Sequence, residues 1–280
     1  KEKEYQIDMH LRKSGSKGVA VNKIPIKKAS ELFGILNIVF FSPEDLNIIK
    51  NGPAERRRFI DLELCQLDKL YLSDLSSFNK VLNQRNKLLK DISFRPDLVD
   101  TLPVWDMQLL EYGTRIIRKR KEFVEELNEI ISEIHSKISG GREHLVLKYE
   151  PNITADLFAD ELLRAQNRDL KLCQTTTGPH MDIRKFGSQG QQRTSALSLK
   201  LSEIDLVRRS IHDTPVLLLD DVLSELDSNR QNYLLNSIAK IQTVITCTGL
   251  EEFVKNRFCI NKIFQVINGN VYEKESVEEI

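Results

Sequence analysis

Two apolar runs with a polar helix between them limit this chain more than any other feature. "PVLLLDD" occupies residues 215–221 and "QTVITCT" residues 242–248, and the intervening stretch 227–240 has helical spacing. Short apolar runs alternating with helices mark a parallel sheet covered on both faces. The expected fold class is therefore α/β. In such a sheet the C-terminal strand ends open onto a ligand crevice, and the first run ends there in Asp220 and Asp221. Two carboxylates at a crevice suit a hard cation such as Mg²⁺, which takes one or two carboxylates together with water and phosphate oxygens. The second could orient an attacking water. An ordinary cap for the following turn explains the same pair of residues.

Residues 5–42 read as short strands. "YQIDMHL" alternates, "SGSKG" is a turn, "VAVNKIPI" alternates again, and "LNIVFFS" is a buried-strand run. This predicts a small, partly antiparallel sheet. From Pro43 to about Ser139 helix formers dominate, with Leu75, Phe78, Leu82, Leu109, Ile116 and Ile117 at helical spacing. That region reads as an insertion of two to four helices. Beyond it come a strand ("EHLVLKYE"), a helix ("ADLFADELLRAQ"), a strand-like "LKLCQTTTGPH" and a helix over 191–211. "KIFQVINGNVYEK" predicts a closing hairpin that turns at Asn268 and Gly269. The expected domains are thus 1–42, 43–142 and 143–280.

Composition excludes some classes. With 41 basic and 41 acidic residues, a polyanion must be met by a local patch and not by the overall field. Four scattered cysteines, without a CxxC pair, fit a reducing interior and predict neither disulfides nor zinc. No run approaches a membrane span, and the first residues do not read as a signal peptide, so a cytoplasmic location is expected. The chain starts without Met inside a strand-like pattern, so a segment is expected upstream.

"FGSQGQQRT" (186–194) crowds glycines, glutamines and hydroxyls directly before an amphipathic helix. Ser188, Gln189, Gly190 and Gln191 fall at its N-terminus, where free N–H groups and the positive dipole end favour phosphate. A plain Ser cap after a Gly turn is the competing explanation. "SQGQQ" lies about 30 residues before "VLLLDD", and "SELD" (224–227) follows. Together they resemble the signature motif, Walker B and D-loop of an ABC-type ATPase. With "FSPEDL" (41–46), "RRRFIDLELCQ" (56–66), "VLNQRNKLLK" (81–90) and "GPHMD" (178–182), the chain is identified as a member of the RecF family, related to SMC and Rad50 heads.

The resemblance implies an ABC-ATPase-like (P-loop NTPase) head, with a mixed or parallel sheet and an inserted helical arm. It implies that ATP and Mg²⁺ are bound, with Asp220 holding the metal and Asp221 standing where a catalytic Glu is usual. The shorter Asp would make hydrolysis slow. Ser188, Gln189, Gly190 and Gln191 would touch the ATP γ-phosphate of an opposite protomer, and Ser224, Glu225 and Asp227 would line the same interface of an ATP-dependent homodimer. Ser42 or Glu44 would replace the missing Q-loop glutamine. Thr246 and Cys247 mark the place of the absent switch histidine, which Cys247 or Thr248 would fill.

The implied partners are double-stranded DNA, including single-strand/double-strand junctions, then RecR, and indirectly RecO and RecA. DNA candidates are Arg56, Arg57 and Arg58, Arg85 and Lys87, and Arg118 and Arg120, although a solvated or ion-paired face accounts for each cluster as well. Three consecutive arginines on a helix cannot share one face, so at least one should pair with an acid such as Asp61.

The sequence also departs from the family. No GxxxxGK[ST] occurs, so the phosphate-cradling loop is missing from these residues and they alone should not bind ATP competently. A family strand-and-turn stretch is missing between Ile183 and Arg184. "ISGGRE" (138–143) imitates a signature motif but precedes a strand-like run, and reads as a loop. An SMC or Rad50 head is a rival, although the insertion of roughly 95 residues allows only a stubby arm. The other rival is a non-catalytic module that binds DNA or a partner.

Overall fold

The computed structural model describes residues 4–14, 18–45, 48–49, 52–181, 192–248 and 260–274. Strands β1 (Ile7–His10), β2 (Gly18–Val21) and β3 (Ile24–Ile26) form an antiparallel meander. "VAVNKIPI" is therefore not one strand. Asn22 and Lys23 both take left-handed backbone angles (φ 51° and 66°), the geometry of a two-residue hairpin turn, and the chain doubles back. β4 (Ile38–Phe41) leaves this meander and pairs elsewhere.

Three helices then build the arm. α1 (Pro53–Leu67) starts with Pro at its first turn, where no N–H is needed. Asp68 both ends α1 and starts α2 (Lys69–Ile92): its N–H donates to the Leu64 carbonyl, while its carboxylate accepts from the N–H groups of Leu70 and Tyr71. α3 (Leu102–Ser139) runs 38 residues, about 57 Å, and stops at Gly140 in the left-handed conformation. It packs along α2. Gly113 lets the rings of Phe78 and Phe158 reach the α3 backbone, since a Cβ there would lie 2.6 Å from Phe158 Cε1 and 3.0 Å from Phe78 Cε2. A separate small core of Leu89, Ile92 and Leu102 closes the arm tip.

Two expected strands do not form. Residues around Leu147 form no strand; instead the Asn128 amide accepts from the Leu147 N–H and donates to its carbonyl, both at 2.7 Å. In "LKLCQTTTGPH", helix α4 (Phe158–Leu172) continues to Leu172 and ends at Cys173 in a left-handed cap. The threonines that follow are held by side chains: Asn86 accepts from the Thr175 N–H and hydroxyl, and Asp169 accepts from those of Thr176. Side-chain acceptors on neighbouring helices satisfy the backbone that a sheet would otherwise satisfy.

α5 (Gln192–Ile211) leads into β5 (Val216–Asp220), then α6 (Ser228–Ile238), β6 (Thr243–Thr246) and the hairpin β7 (Ile263–Ile267) and β8 (Asn270–Lys274). The hairpin turns at Asn268 and Gly269, as expected. β4, β5 and β6 form a parallel sheet in that order, with Phe41 opposite Leu219 and Asp220 opposite Thr246. Val39, Phe41, Leu217 and Leu219 are buried in the main core with Leu197 of α5, and the core continues into the arm root through Phe59, Ile60, Leu64 and Ile131. On the other face Phe40 and Val244 remain about half exposed. Coverage of both faces is thus not seen among the described residues. No described helix is long and apolar enough to cross a membrane.

Candidate functional site

The parallel order brings three polar strand ends to one edge: Ser42 after β4, Asp220 and Asp221 at the end of β5, and Thr246 with Cys247 at the end of β6. The Thr246 hydroxyl donates to Asp220 Oδ1, which fixes one oxygen of an otherwise exposed carboxylate. Asp221 adopts a left-handed backbone (φ 51°), and its N–H donates to the Thr246 carbonyl at 3.1 Å. A non-glycine residue held this way must be fixed by its surroundings. Its Oδ1 is buried without a hydrogen-bond partner. Two adjacent carboxylates, one exposed and one with an oxygen that no protein group satisfies, fit the one or two carboxylates by which a hydrated hard cation is usually held.

The turn beyond Asp221 is equally specified. Ser224 Oγ donates to the Asp221 carbonyl, and the Gln231 amide donates to the Leu223 carbonyl at 2.7 Å. The Asp227 carboxylate caps α6, accepting from the N–H groups of Asn229 and Arg230 and pairing with the Arg230 guanidinium at 2.6 Å. Of the three D-loop candidates, then, Asp227 is occupied with helix capping and Ser224 is exposed. Glu225 ends the short turn Leu223–Glu225. Ser42 is buried, and its N–H donates to Asp45 Oδ2; Glu44 is exposed, as is Cys247. Ser188, Gln189, Gly190 and Gln191 lie outside the described residues, immediately before α5.

Burial removes three arginines from the DNA-binding candidates. Arg85 is fully buried and bonds Asp106 at 2.6 Å, Asp169 at 2.8 Å and the Thr175 hydroxyl. Arg120, also buried, pairs with Asp61 at 2.9 Å and donates to the Pro179 carbonyl and to the Tyr71 hydroxyl. Arg56 is buried with its guanidinium at the Ile48 carbonyl. A guanidinium enclosed with its acceptors cannot meet a phosphate without being unpacked. The remaining candidates are open to solvent: Arg58, Lys87 and Arg118 are exposed. Arg57 is half-buried and lines a cavity of about 150 Å³ with Asn79 and His180.

Sequence reading missed a second polar cluster. Lys200 and Glu203 on α5 are buried, and Lys200 Nζ lies 3.1 Å from Glu203 Oε2 and 3.3 Å from Asp45 Oδ1. The one sign of it was a Lys and a Glu three apart within the leucines of "LSLKLSEIDL". Close by, His135 of α3 contacts the Ser198 hydroxyl at 2.9 Å and Glu143 at 3.3 Å. Burial lowers the His135 pKa, an effect that Glu143 opposes.

No protein-family model matches the chain. Over 280 residues it is 75% identical to the DNA replication and repair protein RecF of Agathobacter rectalis, an alignment covering 96% of this chain and 77% of that protein. The chain belongs to the RecF family. It is likewise 63% identical over 280 residues to the RecF of Lachnospira eligens, with the same coverage. A solved structure of the recombination mediator protein RecF with ATP, from the RecFOR pathway, matches at a TM-score of 0.85 and 34% identity, covering 97% of this chain and 76% of that one. The fold is accordingly the α/β, ABC-ATPase-like head with a helical arm that the motifs of this family implied.

Proposed function

We propose that this chain is the greater part of an ATP-dependent DNA-binding switch for recombinational repair. One observation carries the reading furthest. The end of β5 presents an exposed Asp220 and an orphaned Asp221 oxygen on a parallel-sheet edge, in a family member whose solved relative holds ATP. Mg²⁺, when bound, supplies charge neutralisation at the phosphates. Asp220, oriented by the Thr246 hydroxyl, would hold it. Asp221 would orient the attacking water, and its short side chain would keep turnover slow, which suits a switch. Phosphate contacts from a family phosphate loop belong to a full-length protein, since no GxxxxGK[ST] occurs in these residues.

Ser188, Gln189, Gly190 and Gln191, ahead of α5, contact the γ-phosphate across a two-fold homodimer, with Ser224 and Glu225 along the same interface. Hydrolysis then releases the pair. Double-stranded DNA is met through its phosphates by the exposed cations Arg58, Lys87 and Arg118 and by the half-buried Arg57. RecR, and through it RecO and RecA, are the partners at gapped DNA, in the cytoplasm.

The test uses the full-length protein. ATP-dependent pairing is followed by sedimentation, with and without double-stranded DNA, for Ser188→Arg and Asp221→Asn. The expected outcome is loss of pairing in the first and a locked pair in the second. Assembly unchanged in both would overturn the switch and favour a non-catalytic binding module.

A further inference from the structure

Lys200 stands where three parts of the molecule meet. It projects from α5, the helix that begins directly after residues 188–191. Its ammonium lies 3.3 Å from Asp45, in the turn that follows β4 at the crevice edge, and Asp45 accepts with its other oxygen from the Ser42 N–H at 2.7 Å. It also sits 5.4 Å above the Phe59 ring of α1, the first arm helix, whose Glu63 is buried and faces the same charge. Glu203 closes the cluster, with Oε2 on Lys200 and Oε1 buried without a partner.

A site of this kind is a poor way to gain stability. Taking an ion pair out of water costs nearly what its attraction returns, and well-packed apolar residues of equal volume usually do as well or better. The cluster also carries three carboxylates for one ammonium, so it cannot ionise fully. Burial, with Asp45 adding to it and Lys200 opposing it, pushes Glu63 up to about 7, and burial raises Glu203 well above the carboxylate range. The ammonium stays charged: burial alone would lower its pKa, but Glu203, Asp45 and Glu63 together raise it. What the arrangement does provide is a single directional contact point shared by the crevice turn, α5 and the arm root.

We propose that Lys200 is a positioning residue that holds the turn after β4, the helix behind residues 188–191 and the root of the arm in one register, coupling nucleotide at the crevice to pairing. The inference rests on the ATP-dependent pairing set out above. Without the ammonium, Asp45 loses its tie to α5, and the crevice turn and the helix are free to shift independently.

The experiment compares full-length wild type, Lys200→Met, Lys200→Arg and Glu63→Gln. It measures three quantities: affinity of the monomer for a fluorescent ATP analogue, ATP-dependent pairing by sedimentation, and the thermal midpoint. Lys200→Met is expected to bind the analogue within about threefold of wild type but to pair at least tenfold more weakly, and Lys200→Arg to recover most of that loss. Wild-type pairing should change between pH 6 and 8, and Glu63→Gln should flatten the profile; the charges facing Glu63 are Lys200, Glu203 and Asp45.

In a folded Lys200→Met, affinity and pairing that are both unchanged, or that fall by the same factor, would overturn the proposal and leave the cluster a packing feature. If Lys200→Met does not fold, Glu63→Gln decides alone: a flattened profile supports coupling, and an unaltered one overturns it. A wild type that never pairs with ATP removes the functional reading itself, and this inference with it. Variants that pair like a wild type that does pair remove only the coupling.

Discussion

The helical arm and the edge of the parallel sheet use charge in opposite ways. Within the arm Arg85 and Arg120 are enclosed, and each is held by several acceptors: Arg85 by Asp106, Asp169 and Thr175, and Arg120 by Asp61, Tyr71 and the Pro179 carbonyl. At the sheet edge Asp220 is exposed with one fixed oxygen, and Asp221 keeps a buried oxygen without a partner. Charges enclosed among several internal partners hold elements together, whereas an exposed carboxylate at a strand end is available to a ligand. The comparison teaches that a basic or acidic cluster in the sequence acquires meaning only from how completely its neighbours satisfy it.

The sharpest way to break this contrast is Arg85→Ala. It abandons Asp169 in the interior and should cost about 3–5 kcal/mol in urea denaturation; a loss below about 1 kcal/mol would contradict the structural role given to this arginine. Gly113→Ala comes next. The helix interior gains up to about 1 kcal/mol from alanine, but the added methyl collides with Phe158 and Phe78, and overpacking of this kind costs about 1–3 kcal/mol. A net loss of thermal stability is expected, and a gain would show that the rings can move aside.

A pH series sharpens the comparison further. Glu63 has its folded-state pKa raised from 4.5 to about 7, so between these values the folded chain binds more protons than the unfolded one. Its contribution to stability is therefore greatest at low pH and falls as pH rises from about 4.5 through about 7, with a slope of at most about 1.4 kcal/mol per pH unit. Glu63→Gln should remove that slope from denaturation curves. The smallest stability effect belongs to the sheet edge. Thr246→Val removes one hydrogen bond to an exposed carboxylate and should change stability by less than about 1 kcal/mol, while slowing ATP turnover of the full-length protein severalfold. A large loss of stability there would place Thr246 with the structural residues of the arm.

Much of the fold is legible from local pattern. The strand runs at 216–220 and 243–246, the helices between and before them, and the Asn268 and Gly269 turn all appear where periodicity and turn chemistry put them. The misreadings have two causes, a local turn and distant partners. "VAVNKIPI" alternates as a strand would, yet two left-handed residues fold it in half; "EHLVLKYE" and "CQTTTG" have strand composition, yet Asn128, Asn86 and Asp169 take up their backbone groups. Asp61 was expected to serve the arginines beside it, and it holds Arg120, 59 residues away. Side-chain partners that are distant in sequence leave no mark on local composition.

What the sequence determined by itself is the set of elements and the chemistry at their ends, because apolar period, capping residues and carboxylates at a strand terminus act over a few neighbouring positions. The tertiary structure alone decided which charges are enclosed and which stay exposed. Arg85, Arg118 and Lys200 look alike in the sequence, but one is enclosed by two aspartates, one is exposed, and one lies where the crevice turn, α5 and the arm root converge. The cost of an ionised group depends on the solvent and partners around it, and those are set only when remote segments pack together.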